Sequence, residues 1–440
     1  MIENSRRTLR APHLQAPWTL FWVGFLVRVV YITVAHTYRV PAYADHFKFG
    51  YEMGRVARAL VTGAGYADPF NGHTGPTAWV PPAYPLLIAG AFKLFGVYSL
   101  FAGWALLVFN SLFNAAAARW VYEIAARCFH RKVAVWSGWI WALYPAVMEY
   151  ATRWVWETAI STALFTFVLL LALRMRRVGE PVDEGQEHRA ATLGQWLFFG
   201  LIWGIIALSN STMLLFLPVC GLWILMGSKP LSQTILKAVA AGVLCMAVIT
   251  PWIVRNWQAF HAFVPMRSNF GAELYAGNGP GSMGFRYGAL IGLPEQEPQH
   301  KLYKQLGEIE YVRKRGQLAK EYIAAHPGHF AQLSLERFDF FWASVPHPTD
   351  KHWFLDFIRQ LDYCLPSITG VLGLLLALKR RVPAAGLFAW AFVLLPFTYY
   401  FVTVEARFRH PLEPLIVILS VYLFQSAERR RASTAAAAQA

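Results

Sequence analysis

Ten apolar blocks recur along the chain, at residues 17–35, 98–121, 133–150, 155–173, 196–208, 213–226, 235–252, 361–378, 384–401 and 411–424. A helix of about 20 apolar residues crosses a hydrocarbon core roughly 30 Å thick, and lipid gives backbone amides no partner outside the helix itself. A barrel strand would alternate apolar and polar positions, and the run from Val155 to Leu173 shows no such alternation. The pattern predicts an all-α polytopic membrane protein, a bundle of about ten transmembrane helices with both termini on one side. Two longer polar segments, 36–97 and 255–360, interrupt the rhythm and fall on the opposite, outer side. Within the first, residues 82–97 are apolar but short, carry Lys93 and open on Pro81-Pro82, which predicts a helix lying in the interface. The organisation expected is therefore a cytoplasmic start and first span (1–35), a first outer loop (36–97), spans two to seven (98–254), a second outer segment with further interfacial helices (255–360), and three last spans with a basic tail (361–440).

Composition sharpens this picture. Apolar residues make up 56% of the chain and charged ones 15%, which excludes an ordinary soluble domain. The formal charge of +15 is placed at block ends: Arg6, Arg7 and Arg10; Arg127, Arg131 and Lys132; Arg174, Arg176 and Arg177; Lys379, Arg380 and Arg381; Arg429, Arg430 and Arg431. That placement matches cytoplasmic loops and argues against a nucleic-acid partner. Counting 82–97 as a span would put the Arg127–Lys132 loop outside. The four cysteines have no metal-ligand or disulfide spacing. No small-residue cleavage site follows the first block, which predicts a retained helix. The acidic run 179–187 reads as a solvated linker.

Candidate chemistry lies in the outer segments. Asp45 follows the first span and precedes a predicted helix, 48–60; a carboxylate shielded by apolar neighbours there can have its pKa raised and act as a base, or it can simply cap that helix. Glu157 opens an apolar span, where a carboxylate needs a partner or water; Arg153, one turn earlier, is a candidate partner. His46 and His73 are candidate metal or hydrogen-bond groups. The segment Pro76-Thr77-Ala78-Trp79-Val80-Pro81-Pro82-Ala83-Tyr84-Pro85 can wall a cavity at the membrane surface or act only as a rigid entry to the interfacial helix.

Asp45, then Gly63-Ala64-Gly65 and this Pro76–Pro85 stretch, resemble the first outer loop of GT-C glycosyltransferases of the family 39 type, which include protein O-mannosyltransferases and aminoarabinose lipid A transferases. Tyr144-Pro145 with Glu157, Pro251-Trp252-Ile253-Val254-Arg255-Asn256 with Gly277-Asn278, and Glu405-Ala406-Arg407-Phe408-Arg409-His410-Pro411 extend the resemblance over nearly the whole chain. It implies a GT-C-like fold and an inverting transfer from a polyprenyl-phosphate sugar donor to a lipid or glycan acceptor, at the periplasmic face of a bacterial inner membrane. Asp45 is then the base. Arg255, Arg407 and Arg409 are candidates for the donor phosphate, which guanidinium groups bind in a fork, though arginines also snorkel at interfaces without any ligand. Glu157, Tyr84, His46, Asn278 and Glu405 are expected to line the cavity. No cofactor is firmly implied, and a divalent metal is neither demanded nor excluded. Two departures matter: Ser209-Asn210-Ser211 stands where many relatives carry a basic residue, and Asp45 is followed by His46 rather than a second acid, so a protein acceptor is not supported. The alternative is a lipid or solute transporter, which would account for the spans and for intramembrane charges such as Arg28.

Overall fold

The computed structural model describes residues 16–180, 190–228, 230–285, 297–345 and 353–437. The basic cluster Arg6, Arg7 and Arg10, most of the acidic linker and residues 286–296 lie outside these, as do the side chains of Arg429, Arg430 and Arg431. Among the described residues the chain is helical, with only isolated bridges. The helices are α1 (Pro17–Val34), α2 (Tyr43–His46), α3 (Glu52–Val61), α4 (Ala83–Phe95), α5 (Leu100–Cys128), α6 (Arg131–Leu143), α7 (Pro145–Thr152), α8 (Thr158–Met175), α9 (Leu193–Ser209), α10 (Leu217–Met226), α11 (Leu231–Phe260), α12 (Phe270–Asn278), α13 (Glu297–Leu306), α14 (Glu308–Ala325), α15 (Pro327–Ala343), α16 (Trp353–Lys379), α17 (Ala385–Phe401) and α18 (Glu413–Ala437). Short 3₁₀ turns, Ser211–Phe216 and Ala406–Leu412, lead into α10 and α18.

Each predicted block falls on helix. Five helices, α1, α5, α8, α11 and the Phe357–Lys379 part of α16, are long and apolar enough to cross a membrane, by length and composition. The stretch expected in the interface is α4, whose 13 residues reach only about 20 Å. Glycines set the closest helix contacts: a Cβ at Gly200 would strike the backbone of Ala241 on α11, and one at Gly373 the backbone of Leu419 on α18. Small residues allow helices to pack this closely where lipid supplies no hydrophobic drive.

The block 133–150 is the exception to straight crossing. It breaks at Tyr144 into α6 and α7, because Pro145 has no N–H for the Trp141 carbonyl one turn back. Arg28, fully buried in α1, repairs the break: it donates to Ala142 O at 2.6 Å, Trp141 O at 3.4 Å, Gly24 O at 2.8 Å and Asn114 Oδ1 at 2.8 Å. An intramembrane arginine that invited a transport reading is thus matched to backbone carbonyls. On α5, Asn110, Ser111 and Asn114 serve the same irregular stretch, bonding carbonyls of Val147, Ala151, Trp154 and Trp156.

The two long polar segments meet at one end of the bundle. Residues 66–77 form a small hairpin-like loop, with Thr77 N to Tyr66 O at 3.2 Å and Asp68 N to Gly75 O at 2.9 Å. Glu308, at the start of α14, fastens the second segment to it. Its buried carboxylate accepts from Thr77 Oγ1 (2.5 Å), Ala78 N (2.6 Å), Ser268 Oγ (2.6 Å) and Tyr303 Oη (2.8 Å). The basic loops gather at the other end, where Arg127 bonds Val178 O and Glu180, Arg176 covers Trp223, and Arg380 reaches Tyr422 and Ser426.

Candidate active site

Asp45 sits in α2, whose short turn leaves Asp45 at φ +52° and His46 at φ +60°, a backbone conformation costly for residues with a Cβ. It does not cap the next helix, which begins at Glu52 behind Tyr51. Instead the amphipathic α3 presents two arginines to it, three residues apart on one face. Arg55 Nε donates to Asp45 Oδ2 at 2.9 Å and Arg58 Nη1 to Oδ1 at 3.2 Å. Arg55 Nε also bonds Asn71 Oδ1 at 3.1 Å, and the Asn71 carbonyl lies 2.8 Å from His300 Nε2 on α13. Burial pushes the Asp45 carboxyl up, but the two guanidinium groups outweigh it and hold the group below its ordinary value. The expected upward shift is therefore corrected in sign, because the neighbours are cations rather than apolar groups.

A second polar cluster surrounds Glu157, the residue just before α8. Its Oε2 is buried and has no hydrogen-bond partner among the described residues, and the charges of Arg407, Arg267 and Glu405 act on it. Arg153 is turned away, bonding Tyr31 Oη at 3.0 Å, so the expected Glu157–Arg153 pair does not form. Arg407 pairs with Glu405 at 2.6 Å and lies 4.1 Å over Trp156. Arg267 donates to Trp79 O at 3.1 Å. The Ser209-Asn210-Ser211 link is built into a neutral network: Ser209 meets Ser161 at 3.2 Å, and Thr212 joins Asn210 and Tyr399. Lys48, three residues past Asp45, lies 5.8 Å over Trp154, and Arg407 of the second cluster lies over Trp156.

The remaining sequence candidates are held by protein groups. Arg255 clamps the 66–77 loop, donating to Thr77 O at 2.6 Å and Tyr66 O at 2.5 Å. Arg409, only 1% exposed, binds Glu413 at 2.6 Å, Ser367 at 2.6 Å, Tyr363 O at 2.9 Å and Trp342 O at 3.0 Å. Asn278 accepts from Arg337 at 2.6 Å and donates to the carbonyls that end α17. Tyr84 is buried against Asn110, with Asn110 Nδ2 donating to its hydroxyl at 2.9 Å. His73 is exposed and closes the Asp68 turn at 3.1 Å. No group of three or more metal-ligating side chains occurs among the described residues. The sequence reading missed Arg55, Arg58, Asn71 and Arg267; the three-residue spacing of Arg55 and Arg58 behind Asp45 was the available signal.

Residues 79–254 match the family model described as dolichyl-phosphate-mannose-protein mannosyltransferase. No curated protein matches. The oligosaccharyltransferase of Archaeoglobus fulgidus in its apo form superposes with a TM-score of 0.53 at 13% identity, over 96% of this chain and 52% of that one. The archaeal oligosaccharyltransferase AglB from the same organism, in complex with an inhibitory peptide and a dolichol-phosphate, gives 0.52 at 12% identity, again over 96% and 52%. The chain thus spans about half the length of these structures. ArnT from Cupriavidus metallidurans bound to undecaprenyl phosphate is also found, at 14% identity over 92% of this chain and 77% of that one, with a TM-score of 0.38, too low to bear on the fold. With the sequence match over 79–254 and the fold match over nearly its whole length, the chain is a polytopic membrane protein of GT-C fold whose resemblance is to the family 39 glycosyltransferases.

Proposed function

We propose that the protein is a membrane glycosyltransferase that moves one sugar from a polyprenyl-phosphate donor to a lipid or glycan acceptor, with inversion, at the periplasmic face of a bacterial inner membrane. The observation that carries the reading is Asp45 itself: a carboxylate 25% exposed, in a strained turn just past the first span, with cations around it and a second charged cluster next door. The acceptor hydroxyl would give its proton to Asp45 as its oxygen attacks the anomeric carbon; the bond from that carbon to the phosphate oxygen breaks, and the lipid phosphate departs. We assign that phosphate to Arg407 and Arg267, because the charges of both act on the buried Glu157 cluster, whereas Arg255 and Arg409 each donate to two backbone carbonyls elsewhere. A carboxylate held by two guanidinium groups is a weak base. Arg58, 30% exposed, would therefore have to loosen as substrates enter, which a phosphate oxygen competing for its fork can bring about.

The test is transfer from radiolabelled polyprenyl-phosphate sugars into membrane lipids and glycans by purified wild type and Asp45→Asn. Transfer should fall roughly 10²–10⁴-fold in the variant, the range for loss of a general base, with the fold unchanged. Donor consumption that is equal in both proteins removes Asp45 from the chemistry, and none in either removes the transferase reading.

A further inference from the structure

Three of the non-glycine residues with left-handed backbone meet at one point. Asp45 and His46 belong to α2; Tyr98, at φ +54°, lies in the link between α4 and α5. The His46 imidazole stacks flat on the Tyr98 ring, centroids 3.9 Å apart and planes within 4°. His46 Nδ1 stands 3.7 Å from Asp45 Oδ1. Phe49 and Phe92 pack edge-on against the same phenol, at 5.2 and 4.9 Å, so its plane is fixed from two further sides. Strained backbone in contact with a reactive group is held where the surrounding packing over-determines it, and it concentrates at functional sites.

The polar atoms of this stack make no hydrogen bond among the described residues, His46 Nδ1 having only its 3.7 Å approach to Asp45. Tyr98 Oη and His46 Nδ1 are both buried, and neither has a hydrogen-bond partner among the described residues. Buried polar atoms almost always find one, and those that do not call for an explanation. Packing does not supply it here: a phenylalanine would fill the same ring site without stranding a hydroxyl, and a leucine would cover Tyr98 without stranding a nitrogen.

We propose that Tyr98, with His46 stacked on it, is an acceptor-binding residue, and that the acceptor is a sugar or polyol headgroup presenting two neighbouring hydroxyls. This rests on the reading of Asp45 as the base. A neutral phenol donates one hydrogen bond, whereas the Asp45 carboxylate only accepts. One hydroxyl of a vicinal pair would give its proton to Asp45 while the oxygen of the next accepts from Tyr98, and His46 Nδ1 completes the polar surface. A long-chain alcohol with one hydroxyl offers Tyr98 nothing, which would make the phenol a filter for glycan over simple alcohol acceptors.

Tyr98→Phe keeps the ring, the stack and the edge contacts and removes only the hydroxyl. Without substrate, a hydroxyl lacking a structural partner is no loss, so the thermal midpoint of the full-length variant should hold or rise by roughly 1–3 °C. In transfer assays the variant should lose roughly 10–100-fold in kcat/KM for a glucosyl diacylglycerol acceptor with the donor KM unchanged, and should not lose rate with a single-hydroxyl fatty alcohol. A lower midpoint would show that the phenol has a structural partner and overturns the proposal, as do unchanged kinetics with the glucosyl lipid. Should the wild type transfer no sugar at all, the underlying reading fails separately; equilibrium binding of tritiated glucosyl diacylglycerol to wild type and Tyr98→Phe then decides, equal binding overturning the role given to Tyr98.

Discussion

Arg409 and the Arg55–Arg58 pair hold carboxylates at the same end of the bundle, and they do so in opposite ways. The Arg409–Glu413 pair is 1% and 6% exposed, one turn apart where the 3₁₀ turn Ala406–Leu412 leads into α18, with three more hydrogen bonds to Ser367, Tyr363 O and Trp342 O. Asp45 is 25% exposed and Arg58 30%, on a turn with two left-handed residues and next to polar atoms that bond nothing among the described residues. In the first, the guanidinium is buried among protein acceptors, although Glu413 Oε2 beside it has no hydrogen-bond partner among the described residues; in the second, the carboxylate is strained and a quarter exposed. An arginine near a helix end on the outer side therefore says little about binding until its own acceptors and exposure are known: Arg409, sunk among carbonyls and a buried carboxylate, we read as packing, and Arg58, sharing a strained and partly exposed carboxylate, is the one we assign to substrate.

The sharpest way to break this contrast is Arg409→Met. Glu413 would be left buried without its cation, which costs about 3–5 kcal/mol where one partner of a buried pair is removed. Chemical denaturation in detergent should show that loss, and Glu413→Gln in the same chain should recover part of it. A variant that keeps wild-type stability but no longer binds donor lipid would move Arg409 into the phosphate site and dissolve the distinction. A smaller effect is expected at Arg58→Gln. Removing one of two guanidinium groups lets the Asp45 pKa rise toward its ordinary value, so the acid limb of kcat/KM should move to higher pH, with a fall of roughly tenfold in rate at neutral pH if Arg58 also meets substrate. An acid limb that does not move would mean that Arg55 alone sets the carboxylate.

How much of this was legible beforehand follows the same division. The apolar helices were readable because a helix that crosses lipid must carry about 20 apolar residues, and α4 differs from the longer ones in its 13 residues and its opening prolines. The break at Tyr144 was written in Pro145, yet its repair by Arg28 was not, since that needs the register between α1 and α6. In the site, Asp45 could be singled out by its position after the first span, but the sign of its shift could not: Arg55 and Arg58 lie ten and thirteen residues on, and only the reversal of the chain through Gly50 and Tyr51, both at positive φ, brings them back. Arg255, Arg407 and Arg409 are indistinguishable by spacing and differ only in which carbonyls and carboxylates surround them. Tyr98 carried no signal, standing at the edge of an apolar block like many others.

The finest test of the contrast is the dependence of stability on pH. The Asp45 pKa is depressed in the folded protein, so the unfolded chain binds its proton first as pH falls. The contribution of the carboxylate is then fully present above its unfolded value of about 4 and fades as pH drops through the lower folded value. Asp45 and Arg58 are partly exposed and Arg55 is buried, and solvent screening holds the share of the exposed pair to about 1 kcal/mol or less. The thermal midpoint of wild type should accordingly exceed that of Asp45→Asn slightly at pH 7 and pH 5, and the gap should close below about pH 4. A gap of the opposite sign at pH 7 would show that strain in the turn outweighs the ion pair, making the resting site one that holds its base at a net cost. A gap that persists unchanged into acid would show instead that Asp45 is held by something other than the charges of Arg55 and Arg58, and the two regions would then differ in access to solvent alone.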